Sequence, residues 1–211
     1  MNRRLLELFK GTGSAGKAFE GYHIESVDNE QRFNPTHLTD ILDWDYKSLS
    51  FVPDVIWASP PCNSYSNLAA FNHMRSNETM IPSHPRAIKD DKVLSRTIEI
   101  IKYFLNINPN LKYCIENPRG TMHRSPVLKE LGTYDTAITF YFFYNDNRRK
   151  RTQFFNNFNL QLIPVSEWNQ EEWKQRGETV HRMSIEDKYR IPQDLLLSVR
   201  KQIEELDSTL S

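Results

Sequence analysis

Cys62 and Glu116 are the residues of this 211-residue chain whose type and setting best suit covalent chemistry. Cys62 follows an apolar run, Val55-Ile56-Trp57, and two consecutive prolines, Pro60 and Pro61. A short apolar run stopped by proline reads as a buried strand entering a stiff turn, because proline fixes φ and donates no backbone hydrogen bond. A thiol placed there stands beyond the carboxyl end of a strand, where open α/β sheets present catalytic side chains. Ser64, Tyr65 and Ser66 predict the start of a helix, whose N-terminus would favour a thiolate. The competing reading makes Cys62 a small buried hydrophobe. Glu116 ends a second apolar run, Leu111 to Ile115, and is the natural chemical partner for Cys62 in an open sheet. The alternative for Glu116 is a structural ion pair with Arg119. Cys114, inside that run, reads as core. The basic run Asn147 to Arg151 lies between strand candidates Asp135–Tyr144 and Thr152–Phe155. It is either a solvated face or an edge able to hold phosphate.

These side chains need a scaffold, and the flanking sequence supplies one. Leu5 to Phe9 is an apolar run ending at GTGSAG, followed by Lys17-Ala18-Phe19. Strand, glycine turn and helix is the layout that brings backbone close to a nucleotide, although glycine turns are also common elsewhere. The next strand candidate, from Tyr22 to Val27, ends at Asp28, placed to accept hydrogen bonds from ribose hydroxyls. Asp40 follows, either at a third strand end or as a solvated turn residue. Residues 72–85 read as a long loop beside Cys62, of the kind that serves as a lid. Leu94, Ile98, Ile101 and Leu105 carry helical spacing through 86–106, and a last helix begins near Pro192. Trp168 and Trp173 sit in a polar stretch expected to form a small protrusion.

Composition narrows the classes. Hydrophobic residues make up 38% of the chain and aromatic residues 12%, enough for a proper core in one domain spanning 1–211. No stretch approaches the roughly 18 apolar residues of a membrane span, and the N-terminus lacks the apolar segment of a secretory signal, so an intracellular protein is expected. Two cysteines preclude a disulfide framework, and no spacing suggests zinc. The 27 basic and 27 acidic residues balance, which argues against a surface coated in positive charge for avid duplex binding.

Seven of these segments, in this order, resemble the motifs of the DNA cytosine-5 methyltransferases. LELFKGTGSAGKAF is similar to that family's S-adenosylmethionine loop, with Glu7 where an aspartate is common. ESVDNE and Thr39-Asp40-Ile41 resemble its ribose and adenine motifs, SPPCNSYS its nucleophile loop, IENPRG its glutamate motif and RRKRT its arginine motif. YRIPQDLLLSV is similar to the helix that closes the cofactor pocket. The likeness is strongest to short phage and prokaryotic members without a large target-recognition domain. It implies a three-layer, Rossmann-like α/β fold with a mostly parallel sheet, and a small recognition or insert segment at 152–190. It implies S-adenosylmethionine as cofactor, held by Phe9, Gly11, Gly13, Ser14, Asp28, Asn29, Asp40, Ile41 and Pro60. Its catalytic set would be Cys62 as nucleophile, Glu116 as partner of ring nitrogen-3, and Arg149 and Arg151 on the base carbonyl or a phosphate. DNA would be the substrate and no metal would be required. Three departures stand out: Asn63-Ser64-Tyr65 in place of Gln-x-Phe, the short segment before Ile191, and no asparagine near Tyr189-Arg190. The rival readings are an exocyclic-amino methyltransferase, whose loop carries an aromatic residue where Cys62 stands, a methyltransferase of free cytosine nucleotides, and a catalytically silent binding subunit.

Overall fold

Two fully buried apolar runs set the centre of the sheet. Leu5, Leu6 and Leu8 belong to β1 (Arg4–Leu8), and Val55 to Ala58 form β4 (Val55–Ala58). Such continuous burial requires cover on both sheet faces, which parallel strands with helical crossovers provide. The computed structural model describes residues 2–66, 74–167, 169, 171 and 183–208.

The remaining strands are β2 (His23–Asp28), β3 (His37–Leu38), β5 (Lys112–Pro118), β6 (Asp135–Phe140) and β7 (Arg151–Asn156). Their order is β3-β2-β1-β4-β5-β7-β6, parallel from β3 to β5, with β7 antiparallel to both its neighbours. The chain runs outward from β1 to β3 and then returns to the other side of β1 as β4. The order therefore reverses between β1 and β4, and open sheets bind ligands in the crevice above such a point.

One face is covered by α2 (Pro85–Ile107), which buries Val93, Leu94, Ile98 and Ile101 against Leu6, Ile56 and Ile115. Pro85 is pre-set for a first helical turn, and the His84 ring accepts from Arg86 N at 3.2 Å as the cap. The other face carries α1 (Ser14–Ala18) and α5 (Gln193–Ser208), whose Leu195, Leu196, Val199 and Ile203 pack on Leu5, Trp57 and Phe154. Short helices α3 (Pro126–Lys129) and α4 (Ile185–Tyr189) complete the described elements.

Three local expectations change. The strand expected over 135–144 ends at Phe140, and Tyr141–Tyr144 turns into a 3₁₀ coil that buries Tyr141. The segment after Cys62 is a single 3₁₀ turn, Asn63–Tyr65, rather than the beginning of an α-helix within the described residues. Arg151–Asn156 is an inner strand, so the expected insert begins inside the sheet. Trp168, Trp173, Asn72 and His73 lie outside the described residues.

Candidate active site

The β4 strand delivers the chain through Pro60 and Pro61 to Cys62, and the following loop is fixed from below. Ser64 N donates to Asp90 Oδ2 at 3.1 Å, and the buried Arg75 guanidinium donates to Ser64 O at 3.1 Å and Ser64 Oγ at 2.9 Å. Arg75 also donates to Ala87 O, pairs with Asp91 at 2.7 Å, and stacks over the Tyr65 ring at 4.1 Å. The Tyr65 hydroxyl bonds to the same Asp91. Arg75 thus ties the nucleophile loop to the first turns of α2. Residues 74–84 are the described part of the loop read as a lid, and Arg75 there bridges to Pro82 and anchors inward.

The loop after β5 crosses the loop after Cys62 at Gly120. A Cβ there would stand 2.2 Å from Tyr65 O, a distance no side chain tolerates. Thr121 donates to that same carbonyl from N at 2.7 Å and from Oγ1 at 3.0 Å. The glycine of IENPRG is therefore a packing requirement, and it pins the Glu116 segment to the Cys62 segment.

β4 and β5 are adjacent, with Ala58 opposite Ile115, so the strand ends bring Cys62 and Glu116 to one edge. Glu116 is buried and accepts from the Tyr141 hydroxyl at 3.0 Å and from Lys150 Nζ at 3.4 Å. Arg119, the alternative partner, points elsewhere and donates to Gln153 Oε1 and His123 Nδ1. The cation on Glu116 is thus Lys150, whose Nζ also reaches Lys188 O at 3.4 Å and lies 4.9 Å from the Tyr141 ring centre. Arg151, exposed at the start of β7, lies beside Phe140, while Arg149 and Lys150 are both half-buried just before that strand. Arg148 is fully buried, pairs with Asp146, and donates to the carbonyls of Asp187 and Arg190.

The Cys62 thiol is partly buried, and desolvation raises its pKa. The Lys150 charge pulls it down and the Glu116 charge pushes it up. The net direction is upward, so the resting residue is a thiol, contrary to the expectation of a helix-stabilised thiolate. Cys114 is buried, with its pKa pushed far up by desolvation, which fits its reading as core.

On the other side of Cys62, above β1, β2 and β4, Phe9, Asp28, Asn29, Asp40 and Ile41 line a cavity of about 160 Å³. Val27, Thr39, Pro61, Lys89 and Val93 complete it. Phe9 has φ 61°, a conformation that bulky residues adopt only under constraint, and functional sites concentrate such strain. Asp28 accepts from Gly11 N and Glu30 N, both at 2.9 Å, so its carboxylate orders the glycine turn as well as facing the cavity. Gly11 and Gly13 both take positive φ, at 49° and 67°. Asp40 accepts from Leu42 N and pairs with Lys89 at 3.4 Å. Pro60 is buried, its carbonyl accepting from Asn117 Nδ2 at 3.4 Å. Ser14 is turned away from the cavity, accepting from Ile191 N at 3.1 Å and so tying the glycine turn to the start of α5. An aromatic ring, carboxylates at hydroxyl height and a glycine turn fit an adenosine-bearing ligand. Below the turn, Glu7 is buried and accepts from Ala15 N at 3.1 Å and Gly16 N at 3.3 Å, and desolvation lifts its pKa to about 7. Among the described residues, no group of three or more His, Cys, Asp or Glu could hold a metal, and no helix is long and apolar enough to cross a membrane.

No family model matches the sequence. The chain is 34% identical over 169 residues to a probable DNA (cytosine-5)-methyltransferase of Frog virus 3 (isolate Goorha), covering 73% of this chain and 70% of that protein. The chain belongs to the DNA (cytosine-5)-methyltransferase family. A solved structure agrees at the level of fold. The Entamoeba histolytica methyltransferase EhMeth superposes with a TM-score of 0.57 at 17% identity, over 80% of this chain and 58% of that one. The S. pombe Dnmt2 methyltransferase has a TM-score of 0.48 at 18% identity, over 88% of this chain and 60% of its own. The chain thus spans less than two thirds of the length of these two structures.

For a member of the cytosine-5-methyltransferase family, three residues of the site were not singled out from the sequence. Lys150 lay inside a basic run whose facing residue only the sheet register decides. Arg75 sat in a loop with no pattern, although its neighbouring Asp90-Asp91 pair on an otherwise apolar helix face was a signal. Lys89 reaches Asp40 from α2, a contact no local pattern encodes.

Proposed function

We propose that this chain transfers a methyl group from S-adenosylmethionine to carbon-5 of cytosine in DNA, through a transient bond between Cys62 and the base. The observation that carries the reading is the convergence of Cys62, Glu116 and Lys150 at the ends of neighbouring strands, across from the cavity of Phe9, Asp28 and Asp40. S-adenosylmethionine would supply an electrophilic methyl group, with Asp28 accepting from its ribose, Phe9 against its adenine and Gly11 along its backbone side.

Carbon-5 of cytosine is a poor nucleophile until the ring is activated. The Cys62 thiol gives its proton to solvent, and the sulfur adds to ring carbon-6, a case of covalent catalysis. Addition sends an electron pair toward ring nitrogen-3, which would take up a proton relayed by Glu116. Carbon-5, now enamine-like, takes the methyl group. Solvent water then takes the carbon-5 proton, the sulfur leaves as thiolate, and nitrogen-3 returns its proton to Glu116, which restores the ring. Lys150 joins the expected cations at the site: its charge lowers the Cys62 pKa and it pairs with Glu116, so it would favour the thiolate. In duplex DNA the cytosine must leave the stack, at a cost of a few kcal/mol. Locating the methyl group by mass spectrometry after incubation with labelled cofactor and DNA, RNA or deoxycytidine monophosphate tests the reading. Label on the exocyclic amino group, or on the nucleotide alone, would overturn it.

A further inference from the structure

The aromatic run Phe140 to Tyr144 packs three of its rings on one another. Phe140 stacks on Phe142 with centres 5.1 Å apart, and Phe143 lies 4.5 Å from Phe142. Tyr141 is instead fully buried, and its N donates to Lys150 O at 3.0 Å, which extends the β6–β7 pairing by one bond. The Arg148 guanidinium and the Lys150 ammonium lie 5.0 Å and 4.9 Å from its ring centre. Its hydroxyl donates to Glu116 Oε1 at 3.0 Å. Desolvation and the Glu116 charge push the Tyr141 pKa well up, so the hydroxyl keeps its proton and can only donate to the carboxylate. Lys150 Nζ reaches the same oxygen at 3.4 Å. A carboxylate oxygen has two lone pairs, and Oε1 uses both on these donors. Oε2 accepts no hydrogen bond among the described residues, and it is not sealed from solvent. The two oxygens of one buried carboxyl are therefore unequal: one is anchored and the other is open.

We propose that Tyr141 is a positioning residue for methyl transfer: it fixes Glu116 through Oε1, so that Oε2 carries the proton to and from the base. The inference deepens the reading above and rests on it. A proton on Oε1 would displace one of the two donors. Oε2 can take a proton from solvent, pass it to ring nitrogen-3 as Cys62 adds, and take it back when the sulfur leaves. Lys150 alone would hold the carboxyl poorly, because its flexible stem also reaches Lys188 O and its charge acts on Cys62. The buried tyrosine has no such second partner for its hydroxyl among the described hydrogen bonds. Holding the carboxyl in one orientation before the base arrives removes a reorganisation that a free glutamate would undergo during the reaction.

Single-turnover methylation of cytosine in DNA, at saturating cofactor and DNA, measures the role. Tyr141→Phe should slow the step about ten- to a hundredfold, the rate equivalent of one hydrogen bond to a charged group. Cofactor affinity by calorimetry and DNA affinity should stay as in the wild type, which places the loss in the chemical step. Tyr144→Phe removes a hydroxyl from the same turn, one that accepts from Ile163 N, and should leave the rate unaltered. The comparison that separates positioning from structure is a double-mutant cycle with Glu116→Gln. A residue acting through Glu116 loses its effect there, so adding Tyr141→Phe to Glu116→Gln should slow the reaction by no more than about twofold. An equal loss in both backgrounds would mark a merely structural role and overturn the proposal, as would a Tyr141→Phe rate equal to the wild type. Where Glu116→Gln is too slow to read, the crystal structure of Tyr141→Phe decides. Glu116 should leave its place or occupy two positions while β5 and Cys62 superpose on the wild type, and an unmoved Glu116 would overturn the proposal. A wild type that puts no methyl group on carbon-5 counts against the catalytic reading, whereas the crystal structure reports the anchoring by Tyr141 whatever the reaction.

Discussion

At the scale of single residues, titration ties the chemistry to pH. Burial holds Cys62 as a thiol and the Lys150 charge partly offsets that, so bond formation to a base should accelerate as pH rises through the alkaline range. Lys150→Met should slow it most near neutral pH, while Lys150→Arg keeps a cation and should retain more of the rate. Single-turnover adduct formation from pH 6 to 9 measures this, and identical profiles for Lys150→Met and wild type would argue against the role. Glu7 makes a separate prediction. Its folded pKa of about 7 exceeds the ordinary value of 4.5, so the folded protein holds the proton more tightly than the unfolded chain. The resulting stabilisation is complete below pH 4.5 and is lost as pH climbs through 7. At 1.36 kcal/mol per unit it amounts to about 3 kcal/mol. Urea midpoints should therefore fall between pH 5 and 8 in the wild type, and fall less in Glu7→Gln. Asp28→Ala removes the proposed ribose acceptor and also the hold on Gly11 N, so cofactor affinity should drop by at least the 1.5–3 kcal/mol or so of one charged hydrogen bond. Calorimetry reads it directly.

At the scale of elements, two crossings hold the site. Gly120→Ala would force the β5 loop off Tyr65 O, so methyl transfer should collapse even where circular dichroism stays near native. Arg75→Met leaves the Asp91 carboxylate without its cation in a buried setting and takes the guanidinium donors from Ser64. Losing one member of such a pair costs about 3–5 kcal/mol, to be read from chemical denaturation. Much of this layer was legible in the sequence, because apolar runs closed by proline, glycine or an acid mark strand ends. The exceptions are instructive. Tyr141–Tyr144 looked like more strand because aromatic residues favour strands, yet the chain turns there to bring Tyr141 under Glu116. Which of four consecutive basic residues faces Glu116 depends on the β5–β7 register, which is a long-range property and leaves no local trace.

At the scale of the molecule, the order of strands does what no motif does alone. Reversal between β1 and β4 opens one crevice, and it separates the cavity of Phe9, Asp28 and Asp40 from the Glu116–Lys150 pair, with Cys62 between them. The sequence carried the components in order, and family resemblance supplied their meaning. Ser14 was drawn into the cofactor set by its neighbours, whereas the fold uses it to fasten α5 to the glycine turn. The central claim is that Cys62 bonds to the base. DNA containing 5-fluorocytosine tests it most directly, because fluorine at carbon-5 cannot leave as the proton does and the bond persists. Incubation with S-adenosylmethionine should yield a covalent complex, resistant to denaturing electrophoresis, for the wild type and for Cys114→Ser. Cys62→Ser should yield none, since a hydroxyl is far less ionised than a thiol near neutral pH. Methylation at carbon-5 that persists undiminished in Cys62→Ser would contradict the account.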